Sequence, residues 1–138
     1  MLFVLPDDIA TISFLDKETV AMVHSGVLTE GQLPGVLNES ALESALGRVT
    51  SACCYDATAD FAKLAAYYWH GLSCNHAFAD GNKRTGFTSM VVFLSLNGLE
   101  FVAPDSDMGP LIEDLFCEGR FTLEVLDEIV RTNTRPML

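Results

Sequence analysis

The chain reads as an all-α protein: a compact bundle of about six helices around one buried central helix, with at most a short strand or hairpin. Three observations predict this. Apolar residues recur at spacings of three and four over most of the length. The segment from Gly86 to Leu96 is apolar on nearly every side, which places a helix in the middle of a bundle. Residues that start and stop helices (Asp16, Asn75, Asn97-Gly98) stand at the ends of the periodic stretches.

Residues 2–5 (L-F-V-L) form a short strand, or an arm lying on the body, ended by Pro6. Asp7 or Asp8 begins a first helical stretch with Ile9, Ile12 and Leu15. Asp16 caps a second helix whose Val20, Val23 and Val27 share a face. Residues 29–38, with two glycines and a proline, are a loop or small hairpin. Asn38 or Ser40 opens a short helix with Leu42, Ala45 and Leu46, and Ser51–Thr58 is read as irregular. A strong helix follows, with Phe61, Leu64, Ala65, Tyr68 and Leu72 on one face and Asn75 as its stop. The next runs from near Lys83 to Leu96, presenting Phe87, Met90, Val91, Val92, Phe93 and Leu94. Two more, near 107–117 and 122–132, are punctuated by Gly119 and Thr122.

With 138 residues, no linker, repeat or low-complexity tract, the chain is expected to be a single domain spanning 1–138. Its composition is 49% hydrophobic, which argues for a compact globular protein and against disorder. The net charge of -11 argues against direct nucleic-acid binding and against anionic membranes, and points to a basic partner segment. Cys53, Cys54, Cys74 and Cys117 form no CxxC pair and read as free thiols of a reducing compartment. The N-terminus has no basic region of a signal peptide, and Gly86–Leu96 is too short to span a bilayer. A soluble, cytoplasmic protein is expected.

The chemistry concentrates in His76–Arg84, H-A-F-A-D-G-N-K-R. Two of the chain's eight Lys and Arg residues sit side by side there. The motif bridges two helices, so the first backbone N–H groups of the central helix lack intrahelical partners and favour an anion. Gly81 can adopt positive φ or admit a phosphate oxygen to the backbone, and Asn82 can donate a neutral N–H to the same oxygens. Lys83 and Arg84 supply charge, Arg84 as a planar fork. Asp80 is a hard oxygen ligand suited to Mg²⁺ beside a triphosphate. His76 is an imidazole, a group able to take a hydroxyl proton near neutral pH. Phe78 is expected to point inward and anchor the loop. Together these residues point to transfer of a phosphate-containing group from a nucleotide to a hydroxyl.

Each residue also has a plainer explanation: a capping histidine, a D-G-N turn, a solvated K-R pair. The combination outweighs them, because cations in the first turn of a helix oppose its dipole and call for a counter-anion. A metal hydrolase built on His76 and Asp80 lacks further ligands at suitable spacing. His24 and His70 read as structural, and Tyr67, Tyr68 and Trp69 as core or rim aromatics. Glu113, Asp114, Glu118, Glu124, Asp127 and Glu128 read as a solvated face.

His76–Arg84 resembles the Fic motif, H-x-F-x-(D/E)-G-N-x-R-x-x-R, and is closest to its Doc (death-on-curing) branch, in which N-K-R-T is usual, as at Asn82-Lys83-Arg84-Thr85. Val23-His24, the Gly31–Gly35 loop, Leu42-Glu43-Ser44-Ala45-Leu46, Asn75 and Phe93–Gly98 fit Doc-like positions in order. The similarity runs over about residues 14–132 and leaves 1–13 as an extension. The resemblance implies a Fic fold, with His76 as base, Asp80 as Mg²⁺ ligand, and Gly81, Asn82, Lys83 and Arg84 around the ATP phosphates. It further implies a toxin of a toxin–antitoxin module, phosphorylating a threonine of elongation factor Tu to arrest translation and silenced by a Phd-like antitoxin.

Where the Fic motif has its second arginine this chain has Phe87. Two arginines three apart share a helix face and can clamp one triphosphate, a feature of Fic enzymes that transfer AMP. Loss of the second arginine alone, with Lys83 gained, resembles Doc and favours transfer of the γ-phosphate of ATP, with adenylylation or a catalytically silent nucleotide- or antitoxin-binding domain as alternatives. The loop before Leu42 reads Gly35-Val36-Leu37-Asn38 rather than the Gly-hydrophobic-Arg-Asp of many Doc relatives, so the target's identity is open. Asp114–Gly119 only partly matches the inhibitory (S/T)-x-x-x-E-(G/N) helix of other Fic proteins, and Glu118-Gly119 reads as an ordinary helix end.

Overall fold

A computed structural model describes residues 2–138. Six α-helices follow one another: α1 (Lys17–Val27), α2 (Glu39–Tyr55), α3 (Phe61–Cys74), α4 (Asn82–Leu96), α5 (Asp105–Cys117) and α6 (Leu123–Thr132). Two short strands, β1 (Leu99–Phe101) and β2 (Thr134–Pro136), pair antiparallel with Glu100 opposite Arg135. This is the expected all-α bundle with one small hairpin-like pair.

Side chains fix most helix starts. Asp16, Asn38, Asp60 and Thr122 each accept from a backbone N–H in the first turn of α1, α2, α3 and α6. The core is continuous and centres on α3, which buries Leu64, Ala65, Tyr68, Trp69 and Leu72 against Met90, Phe93 and Leu94 of α4. The two helices cross closely at Gly86. A Cβ there would overlap the Ser73 hydroxyl and stand 2.8 Å from the Trp69 carbonyl oxygen. The central helix is thus seated by a missing side chain as well as by its apolar ones.

Residues 2–5 form an arm, not a strand: the Phe3 carbonyl accepts from Phe61 N–H at 2.8 Å, and the Arg131 guanidinium lies over the Phe3 ring. Two element boundaries differ from expectation. The first helical stretch shrinks to one 3₁₀ turn, Ile9–Thr11, because Asp8 caps it and Ile12 leaves in an extended conformation. Ile12 and Leu15 still reach the core, and Leu15 N–H donates to the buried Tyr68 hydroxyl. Ser51–Tyr55, read as irregular, continues α2, since Val49 and Ala52 extend the buried stripe begun by Leu42 and Ala45. No helix among the described residues is long and apolar enough to cross a membrane.

Candidate functional site

The turn between α3 and α4 opens into a cleft of about 1240 Å³. His76, Asp80, Gly81, Asn82, Lys83 and Arg84 all line it, so the structure brings every candidate site residue together. On one side stand the end of α1 and the loop after it. On the other, α5 presents Met108, Ile112, Glu113 and Phe116.

The α4 end is built for an anion. Gly81 precedes the helix at φ 80° and ψ 15°, the left-handed geometry that glycine adopts without strain, and no side chain caps α4. The first intrahelical bond to return to the turn is Thr85 N–H to the Gly81 carbonyl, at 2.9 Å. The N–H groups of Asn82, Lys83 and Arg84 precede it and form the positive end of the helix dipole.

His76 is exposed, and its backbone lies at φ 54°, the only positive φ among the described non-glycine residues. Such a conformation costs about 1–3 kcal/mol and survives only where the surroundings enforce it. Ala77 and Phe78 supply the enforcement. The Ala77 carbonyl accepts from Leu37 and Asn38 N–H at 2.8 and 3.0 Å, Phe78 bridges to Val36, and both side chains are buried.

Phe78 points inward as expected. Its ring stacks on His24 with centroids 3.9 Å apart and planes 11° apart. The Asp80 carboxylate receives Leu33 N–H at Oδ2, 2.8 Å, and its Oδ1 has no hydrogen bond among the described residues. One free hard oxygen in a cleft, with no group of three or more candidate ligands among the described residues, fits a Mg²⁺ ion that arrives on a polyphosphate and keeps most of its waters. The cleft volume, the uncapped helix end and the apolar Met108, Ile112 and Phe116 of α5 likewise fit a nucleoside triphosphate.

Three side chains are engaged in ways that spacing did not reveal. Asn82 folds back over the loop: Oδ1 accepts from Phe78 N–H at 3.1 Å, and Nδ2 donates to the Phe78 carbonyl at 2.7 Å. It clamps the turn first, and one Nδ2 hydrogen is left for a ligand. Arg84 donates to the Val27 carbonyl at 3.1 Å, one of the unpaired carbonyls at the end of α1. Lys83 reaches Glu113 at 3.4 Å and lies over the Phe116 ring at 4.3 Å. Glu113 is solvated, as read, and is also the counter-charge of a site residue.

Phe87 lines the cleft where a second cation would stand, and packs its ring on Trp69 and Phe101. Glu118 pairs with Arg120 and Gly119 has φ 67°, so this segment is an ordinary helix end. Tyr68 and Trp69 are core, and burial pushes the Tyr68 hydroxyl to about 12. His70 stacks on Phe121, and its pKa is lowered first by burial. All four cysteines are free; Cys74 lines the cleft, and burial raises its thiol.

The Fic/DOC family model matches residues 14–94, more than half of the chain. The chain belongs to the Fic/DOC family. Within it, the sequence is similar to "Protein kinase doc" of Escherichia phage P1, at 31% identity over 90 residues that cover 64% of this chain and 71% of that one. The family match takes in α1 through most of α4, and with them both the motif and the α1-side wall. The α5 wall lies beyond it.

Proposed function

We propose that this Fic/DOC protein is a Doc-like toxin that transfers the γ-phosphate of ATP to a threonine hydroxyl of a protein target. Elongation factor Tu is the proposed target and translation arrest the outcome. The observation that carries the reading is the pairing of Lys83 and Arg84 at the uncapped start of α4 with Phe87, rather than a second cation, one turn on. One cationic pair grips one end of a triphosphate and leaves its far side unclamped. The similarity to a phage protein named as a protein kinase supports the same choice.

Phosphoryl transfer asks little covalent chemistry of the protein and much positioning. His76 takes the proton of the target hydroxyl, whose oxygen bonds to the γ-phosphorus as the bond to the β,γ-bridging oxygen breaks and ADP leaves. The N–H groups of Asn82 to Arg84, with the Lys83 and Arg84 side chains, hold phosphate oxygens. Gly81 lets them approach the backbone. Mg²⁺ on Asp80 would neutralise charge on the phosphates. The Ala77 and Phe78 anchors keep His76 facing the cleft.

The protein acts in the cytoplasm, where its nucleotide and target are. A Phd-like antitoxin silences it from another chain, because Glu118 is turned away to Arg120. The deciding experiment incubates the purified protein with elongation factor Tu and ATP labelled at either the γ- or the α-phosphorus. Label from γ alone supports phosphorylation. Label from α means AMP transfer, and tight ATP binding with no label means a silent domain.

A further inference from the structure

His24 is fully buried near the end of α1, far in sequence from the motif, yet it touches three motif residues. Its Nε2 lies 2.7 Å from the Asp80 carbonyl oxygen. Its ring stacks on Phe78. Its Cδ2 and Nε2 stand 3.6 and 3.7 Å from where a Cβ on Gly81 would be. A carbonyl oxygen can only accept, so Nε2 carries the hydrogen.

We propose that His24 is a positioning residue for Asp80: its Nε2–H fixes the Asp80–Gly81 turn so that the free carboxylate oxygen faces the cleft. This rests on Asp80 being the metal ligand of the proposed reaction. Asp80 is gripped at two points. Leu33 N–H holds one carboxylate oxygen and His24 holds the backbone oxygen, which leaves the peptide plane and the side chain little rotation. Packing on Phe78 alone would be served by an apolar side chain at position 24. Histidine adds one thing to that packing, a donor aimed at the ligand residue. Groups that orient a metal ligand in this way typically change metal affinity or activity by about 10- to 100-fold when removed.

His24→Phe keeps an aromatic ring while deleting the donor, and His24→Gln keeps an N–H donor without the ring. The readout is Mn²⁺ binding in the presence of ATP, followed by electron paramagnetic resonance, with thermal melting alongside. His24→Phe should lower Mn²⁺ affinity by about 10- to 100-fold while still melting cooperatively, and His24→Gln should recover part of it. Affinity equal to wild type in His24→Phe overturns the proposal. So does an Asp80→Asn protein that still binds Mn²⁺–ATP normally.

Should His24→Phe fail to fold, ¹⁵N spectra of the wild-type imidazole decide: hydrogen on Nε2 supports the contact, and hydrogen on Nδ1 alone overturns it. Failure of the kinase reading looks different. Wild type would then bind Mn²⁺–ATP and pass no label to protein, while the comparison among the His24 variants stands.

Discussion

The two walls of the cleft are built differently. The α1 wall grips the motif's backbone and side chains at successive points: His24 and Leu33 on Asp80, Leu37 and Asn38 on Ala77, Val36 on Phe78, and the Val27 carbonyl on Arg84. The contacts of the α5 wall with the motif include one 3.4 Å ion pair between exposed groups and a lysine over a ring. Helix α5 also carries Pro110 inside it, which removes one of its own hydrogen bonds. The contrast teaches a division of labour. The α1 side sets the geometry of His76 and Asp80, and the α5 side is free to adjust to what the cleft holds.

The largest expected effect comes from the group that the α1 wall orients. His76→Ala should reduce label transfer by about 100- to 10,000-fold, the usual range for a general base, with ATP affinity nearly unchanged by calorimetry. A fall in affinity as large as the fall in rate would make His76 a binding residue instead.

Gly81→Ala tests the mould directly. The position needs φ 80°, and a Cβ would stand 3.3 Å from Leu28 Cδ2. A loss of about 1–2 kcal/mol in chemical denaturation is expected, together with reduced transfer. Wild-type stability would show that the α1 wall yields.

The two cations should respond unequally. Arg84→Met removes a charged donor already oriented by α1 and should weaken ATP binding by about 10- to 100-fold. Lys83→Met should cost less, because that ammonium must first leave Glu113. Equal losses would remove the distinction between the walls.

Glu113→Gln should free Lys83. An exposed pair contributes at most about 1 kcal/mol, so ATP affinity should rise by no more than about fivefold. A fall in affinity would mean that α5 is held in place by the pair.

The smallest effect lies away from both walls. Hydrogen bonds from Lys63 and Thr58 hold the Asp56 carboxyl well below its ordinary range. That contribution to stability is complete above the ordinary carboxylate pKa and fades as the pH falls toward the depressed one. Acid melts of Lys63→Met should therefore show a shallower loss across that interval.

What was legible in the sequence is what is local. The α3–turn–α4 unit could be read because caps, a glycine of positive φ and an apolar helix act within a few residues of one another. The whole constellation from His76 to Arg84 was legible for the same reason. Two boundaries went astray where signals conflicted: Asp8 caps a single turn, and the small residues around Cys53 and Cys54 hid the stripe that carries α2 to Tyr55. Strands of three residues, paired from Leu99–Phe101 to Thr134–Pro136, leave no pattern long enough to see. His24 reads as structural, and its contact with the Asp80 carbonyl is invisible in the sequence because 56 residues separate them and only folding brings them together. Asn82 reads as a donor to a ligand, and nothing in its spacing reveals that its amide also closes on Phe78.

The chain's one tryptophan, Trp69, is wholly buried, its ring edge-on to Phe87 at 5.5 Å. Phe87 in turn lines the cleft. A single indole, shielded from water and one ring away from the site, gives the protein an intrinsic optical signal with a single source. Its emission maximum should sit to the blue in the folded state and shift red on unfolding. Displacement of Phe87 by a bound nucleotide should register as a change in intensity without that red shift, so occupancy and folding can be followed separately in one unlabelled sample.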